Sequence, residues 1–425
     1  MSDTTRRTFL AAGAASAVPF FIKGDDKAGT KNKTLGEGEH QYECIHDWGQ
    51  LPSNIKYGNT HSVCEDSQRH IYIHHTVYKD SPSADSVVVF DEKGKFVRSF
   101  GPMFRGGAHG MHLSKEGNTE YLYFCDEKHG IITKRTLKGE EIWTMGYPQD
   151  SPPYTKAPGM PGLNYRPTNF AIAPNLDFWV GDGYGSYYMF HYSQASSTAY
   201  PKLVRTFGGP PAGQAQGGGR GAGAGGGGGK GKGGGGGKGD GAAAAPGAQA
   251  AAGGPPGGGA GKGAGGGGGR GPAQPPPPGQ PGVPRDVPIE SMNNPHGNMV
   301  DLRDPANPIL LVADRGNNRI VRYTLDDKPM DVVAGTKSPC HFHTFKETIV
   351  VPDLQARVTL LDKSNKIILH LGEPLVPNPA RTTDNRADFV PGQFVQPHGA
   401  IFDHSGNIFV AEWVEIGRVT KLRKV

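Results

Sequence analysis

The phrase Asn294-Pro295-His296-Gly297-Asn298, running into the apolar pair Met299-Val300, decides the fold because it returns along the chain. Aligned with it are Asn59-Thr60-His61-Ser62-Val63, Gly107-Ala108-His109-Gly110-Met111, Arg166-Pro167-Thr168-Asn169-Phe170, Ser338-Pro339-Cys340-His341-Phe342 and Gln396-Pro397-His398-Gly399-Ala400. Each opens the same succession of an apolar strand, a turn, a second strand and a third strand, and the second strand generally closes on an acid. The central residues of the six phrases are separated by 48, 59, 128, 44 and 58 positions. Only the 128-residue interval breaks the period. It contains a 77-residue tract, 208–284, with 37 Gly and 12 Pro. Without that tract the interval becomes 51, and six units of about 50 residues remain.

Five units carry a fourth strand that ends in glycine, at 96–101, 141–146, 203–208, 331–335 and 367–372. The sixth unit reaches Val425 after three strands, and residues 42–49 supply the strand it lacks. No segment has a convincing helical period. These observations predict an all-β, six-bladed β-propeller over residues 41–425, with the last blade closed by the N-terminal strand. Tract 208–284 is expected to be a disordered Gly/Pro/Ala-rich insert between blades three and four, where loop length costs little stability.

The insert also explains the charge. The chain's formal net charge is +5, and the tract holds six bases, Arg220, Lys230, Lys232, Lys238, Lys262 and Arg270, against Asp240. Outside it the charges balance, so the basic balance gives no reason to expect a nucleic-acid partner. The tract lacks a Gly-X-Y period, which excludes collagen. No apolar run is long enough to span a membrane after the N-terminus. There, Thr5-Arg6-Arg7-Thr8-Phe9-Leu10 precedes an Ala-rich apolar stretch ending near Ile22. Residues 1–23 read as a twin-arginine export signal and 24–40 as a linker, placing the chain in the periplasm or outside a bacterial cell. Cys44, Cys64, Cys125 and Cys340 show no metal-type spacing and are expected as buried free thiols.

In a propeller the first strand of each blade lines the central channel, so the six aligned residues form a ring at one mouth. That ring is His61, His109, Thr168, His296, Cys340 and His398. His109, His296 and His398 stand on alternate blades, a three-fold arrangement able to converge on zinc or another divalent transition metal. The competing expectation is that a His flanked by Pro and Gly only bonds its turn. The acids Asp126, Asp182, Asp314, Asp353 and Glu412, which close second strands, are expected to brace the next turn. Tyr187 and Tyr188 read as packing residues.

The units resemble NHL repeats, most closely in Val312-Ala313-Asp314-Arg315-Gly316-Asn317-Asn318-Arg319-Ile320 and Ser405-Gly406-Asn407-Ile408-Phe409-Val410-Ala411. The histidine phrases of blades four and six, Gly181-Asp182-Gly183-Tyr184 and Ala313-Asp314-Arg315 also resemble the peptidylglycine amidating-lyase family. That resemblance implies a zinc held by His109, His296 and His398, a catalytic Tyr184, a charge-stabilising Arg315 and cleavage of a peptidyl α-hydroxyglycine to an amide and glyoxylate. Two positions depart from the family. Thr76 stands where an Arg is expected in blade one, and Gly399 replaces an Asp that helps hold calcium. His61, His341 and His343 add imidazoles that the family pattern does not need, with His61 a further candidate ligand. The expected partner is a small-molecule or peptide substrate bound by a monomer. The alternatives are a non-enzymatic propeller that binds a protein, peptide or glycan, and a different metal-dependent lyase or hydrolase.

Overall fold

The computed structural model describes residues 33–155, 165–211, 284–374 and 379–425. The expected signal at 1–23 and nearly all of the Gly/Pro tract lie outside these residues. The described chain forms six antiparallel sheets, one per repeat, five of them made of four successive strands and the sixth of strands from both ends of the described chain. Blade one, for example, consists of Thr60–Glu65, Ile71–His75, Val87–Phe90 and Phe96–Phe100, paired in that order from inside to outside. In blade six, Pro397–Phe402, Ile408–Glu412 and Arg418–Lys424 are followed outward by Tyr42–Ile45, which places Tyr42 opposite Lys424. The ring is therefore closed by two distant parts of the chain. Within the segment read as a linker, Lys33–Leu35 adds a fifth strand to the edge of that blade.

Alternation along the strands creates the core. Side chains on the two faces of each sheet pack against the neighbouring blades, giving six buried apolar clusters, one at each interface between blades. Between blades two and three, for example, Tyr123, Trp143, Phe170, Phe178 and Tyr192 interlock. All four cysteines are buried and unpaired. Outer strands end where Gly101, Gly208, Gly335 and Gly372 take φ of 84°, 77°, 94° and 72°. These are left-handed conformations that favour glycine. No helix among the described residues is long and apolar enough to cross a membrane.

The second strands end in buried polar braces, as expected. Asp314 accepts from Arg319 Nε at 2.7 Å and from Asn317, while Asp353 accepts from Arg357 and Thr359. Glu412 accepts from Arg418, Thr420 and the Val395 amide. Asp182 takes the Ser186 amide and hydroxyl, the Arg166 amide and the Tyr154 hydroxyl. Blade one differs: His75 occupies the acid's register position, and its Nδ1 accepts the amides of Gly58 and Val77.

Candidate functional site

Each inner strand of blades four and six carries a register shift just after its opening residue, between Pro295 and Asn298 in the one and between Pro397 and Gly399 in the other. This irregularity turns the aligned residue out of the ladder. Such bulges re-aim side chains where chemistry needs them. Blade two has the same shift, between Ala108 and Met111. The rings of His109, His296 and His398 consequently face one another with centroids 4.8, 4.8 and 4.7 Å apart, and all three residues are buried.

The glycine that follows each histidine makes this orientation possible. A Cβ at Gly110 would lie 2.3 Å from the Thr168 carbonyl oxygen, one at Gly297 2.5 Å from that of Cys340, and one at Gly399 2.5 Å from that of His61. Those same three oxygens accept Nδ1–H from His109 at 2.6 Å, from His296 at 2.9 Å and from His398 at 3.0 Å. A carbonyl only accepts, so in the neutral ring Nδ1 carries the proton and Nε2 presents a lone pair to the channel. Each histidine is thus bonded to the next blade and not to its own turn. The imidazole is bonded to backbone, and the bond is what fixes its free nitrogen.

Tyr184 enters from the loop after the second strand of blade three. Its hydroxyl lies 3.2 Å from His109 Nε2 and 3.1 Å from His296 Nε2, and it accepts from Arg315 Nη2 at 3.1 Å. One phenol proton can serve only one of the two lone pairs. His398 Nε2 is buried with no hydrogen-bond partner. The donor set therefore presents more lone pairs than protons. Burial holds all these imidazoles neutral: His109 is lowered to about 3, and His61, His296 and His398 fall well below the usual range. Burial raises the Tyr184 phenol, and the Arg315 cation opposes it.

The remaining ring residues behave differently. Thr168 is spent on structure, its hydroxyl lying 2.9 Å from both the Gly181 and Pro295 carbonyls. The His61 ring meets that of His398 edge-on at 4.6 Å and lies tilted 5.0 Å from that of His109, but its Nδ1 is buried without a partner. Ligand atoms of His61, His109 and His398 lie within 4.8 Å of one another, as do those of His296, Cys340 and His398. His341 and His343 are drawn to blade six instead. His341 Nδ1 donates to the Ala400 carbonyl at 3.0 Å, and His343 Nδ1 accepts the Phe402 amide at 3.1 Å.

Sequence reasoning missed Arg166. Its guanidinium carbon lies 5.0 Å from the Tyr184 ring centre and that of Arg315 lies 5.1 Å from it, so two cations flank one phenol. Arg166 is paired with Glu127. Arg315, by contrast, has no carboxylate partner among the described residues, its bonds going to Tyr184 and Cys340. A signal for Arg166 existed, since it is the one charged residue at the first position of the six aligned phrases.

No protein-family profile and no curated protein matches the chain. Among solved structures, a streptogramin B lyase is 10% identical with TM-score 0.45, the match covering 91% of this chain and 99% of that one. A catalytically inactive variant of virginiamycin B lyase from Staphylococcus aureus, solved with quinupristin, is 11% identical with TM-score 0.43, covering 90% of this chain and 100% of that one. A protein of unknown function from Bacteroides caccae is 9% identical with TM-score 0.39, covering 84% of each.

Proposed function

We propose that this mouth is a metal centre in which His109, His296 and His398 hold zinc or another divalent transition ion, and that the protein is an exported lyase. The observation that carries the reading is the surplus of buried Nε2 lone pairs, above all the partnerless Nε2 of His398. Burying an unsatisfied polar atom costs about 1–3 kcal/mol, and a cation among these nitrogens relieves it. Three imidazoles with their far nitrogens anchored to backbone are a donor set suited to such an ion. When bound, the ion supplies Lewis acidity at a substrate oxygen.

The chain's own residues favour one class of substrate. Arg315 is a half-buried cation with no carboxylate partner among the described residues, so the ligand it favours brings an anionic group. Tyr184 lies beside the imidazoles and the Arg315 cation; with an ion on the imidazole nitrogens its own proton would leave to solvent, and its oxygen could then take the proton of a substrate hydroxyl. An α-hydroxyglycine-like peptide satisfies both demands. Its O–H pair becomes the new C=O bond, the C–N bond breaks toward nitrogen, and the departing amide takes up a proton. Arg166 against the phenol supports this reading by adding a second guanidinium beside Tyr184, although Glu127 pairs with it.

Two measurements test the proposal. Elemental analysis of protein matured through its export route should find about one transition-metal ion per chain, and a substoichiometric trace sinks the metal centre. Incubation with a peptidyl α-hydroxyglycine should release glyoxylate, with Tyr184→Phe slowing turnover by on the order of 10²–10⁴ while metal is retained. Metal without glyoxylate shifts the assignment to another metal-dependent activity.

A further inference from the structure

One donor reaches the axis from every blade: His61, His109, Tyr184 in place of the structurally engaged Thr168, His296, Cys340 and His398. The two compact triads share His398 and otherwise lie on opposite sides of it, blades one and two against blades four and five. The shared residue has a single pair to give. Its Nδ1 is bound to the His61 carbonyl, which leaves only Nε2. Two ions cannot both take it. The triads also differ in softness, because one is all imidazole and the other contains a thiol.

We propose that the ring takes one ion at a time and that, in place of the ion on the imidazole site, a thiophilic cation is held by His296, His398 and the thiolate of Cys340. The proposal goes beyond the imidazole site argued above and requires only that cations reach the ring. Cys340 is buried, 1% exposed, with Sγ within 4.8 Å of ligand nitrogens of both histidines. On binding, the thiol proton leaves to solvent and the sulfur pair forms the bond to the ion. Arg315 Nη1, 3.9 Å from Sγ, lies beside the negative charge so created. The competing interaction is weak, since the thiol otherwise donates only to the Ser338 carbonyl at 3.4 Å.

Titration of the full-length, metal-stripped protein with Cd(II), followed by difference absorption, tests this. Expected are one Cd(II) per chain, a sulfur-to-cadmium charge-transfer band, and its loss in both Cys340→Ser and Cys340→Ala but not in His61→Ala. Cys340→Ser should weaken Cd(II) by more than the roughly 10–100-fold typical of residues that only orient a metal ligand, with Zn(II) affected far less. Cd(II) bound without the band, a band that survives both Cys340 variants, or two ions bound at once overturns the proposal. If Zn(II) binds and the sulfur band is absent, the thiolate site alone fails. If neither ion binds, the imidazole site fails with it.

Discussion

Two sets of buried polar side chains lie close together in this propeller and are treated in opposite ways. At the ends of second strands, Asp314, Asp353 and Glu412 meet Arg319, Arg357 and Arg418, and further bonds reach their carboxylates from Asn317, Thr359 and Thr420. At the channel mouth, His109, His296 and His398 are equally buried, yet one phenol proton stands between the Nε2 lone pairs of the first two and none reaches that of His398. The first set finds charged partners within the chain, Asp353 Oδ1 being its one buried oxygen left without a hydrogen bond, and serves the fold. The second leaves lone pairs open, the ones that the proposed ion would take.

This contrast is most sharply tested at the brace of blade six. Arg418 is 1% exposed and makes two bonds to Glu412, so Arg418→Ala strands a buried carboxylate. The loss should be about 3–5 kcal/mol in denaturant unfolding, because removing one member of a buried pair leaves the other uncompensated. Metal uptake by the fraction that remains folded should not change. A loss near zero would mean that the braces are not the structural half of the comparison.

His398→Ala is the converse. It removes the partnerless Nε2 together with the Nδ1 bond to the His61 carbonyl, so stability should fall by about 1–3 kcal/mol, less than for Arg418→Ala, while metal affinity falls by more than roughly 100-fold. Chelator competition and thermal melts on the same sample separate the two readouts. Equal losses in both would place His398 among the structural residues.

The fold was readable because the six phrases keep one register. Bulge, strand and brace follow from where His61, His109, Thr168, His296, Cys340 and His398 align. Six blades follow once the Gly/Pro tract is set aside, and closure follows from the strand at Tyr42–Ile45. The three-fold set of histidines was readable for the same reason. What locks them was not, because the role of Gly110, Gly297 and Gly399 depends on a carbonyl from the next blade and sequence order does not carry that neighbour. Lys33–Leu35 was missed because three residues are too few to show alternation. Cys340 was visible in the ring, but its nearness to His296 and His398 is a fact of packing.

Blade one sharpens the comparison through pH. Burial holds His75 neutral, down to about 3, whereas Glu412 is held below its ordinary value by Arg418 against the opposing effect of burial. Both groups are lowered in the folded state, so both contributions are present at high pH and fade as pH falls. They fade in different windows. Below about 6.5 the unfolded chain protonates His75 while the folded chain resists down to about 3, costing about 1.4 kcal/mol per pH unit for that one proton. Glu412 begins to cost only below about 4.5. His75→Gln keeps an acceptor for the Gly58 and Val77 amides, so it should flatten the fall in unfolding midpoint between about pH 6.5 and 5. An unchanged slope would deny His75 this role.

The smallest effect is expected at His61, which has the sequence position of its three counterparts but not their anchoring. Its successor is Ser62, not glycine, and the Ser62 hydroxyl donates to the His109 carbonyl at 2.8 Å, occupying the oxygen that would fix His61 Nδ1. An imidazole without that bond has neither a fixed tautomer nor a fixed ring plane. His61→Ala should therefore weaken metal binding by less than about tenfold, well short of His398→Ala, even though the His61 ring lies 4.6 Å from that of His398. Ser62→Gly frees the carbonyl, and in that background His61→Ala should cost more than in the native chain. The difference between the two losses, read by chelator competition as a double-mutant cycle, measures what anchoring contributes, on the order of 0.5–3 kcal/mol for residues in contact. If the two losses are equal, the carbonyl bond does not prepare a ring histidine for a cation, and the anchoring argument for His109, His296 and His398 weakens with it.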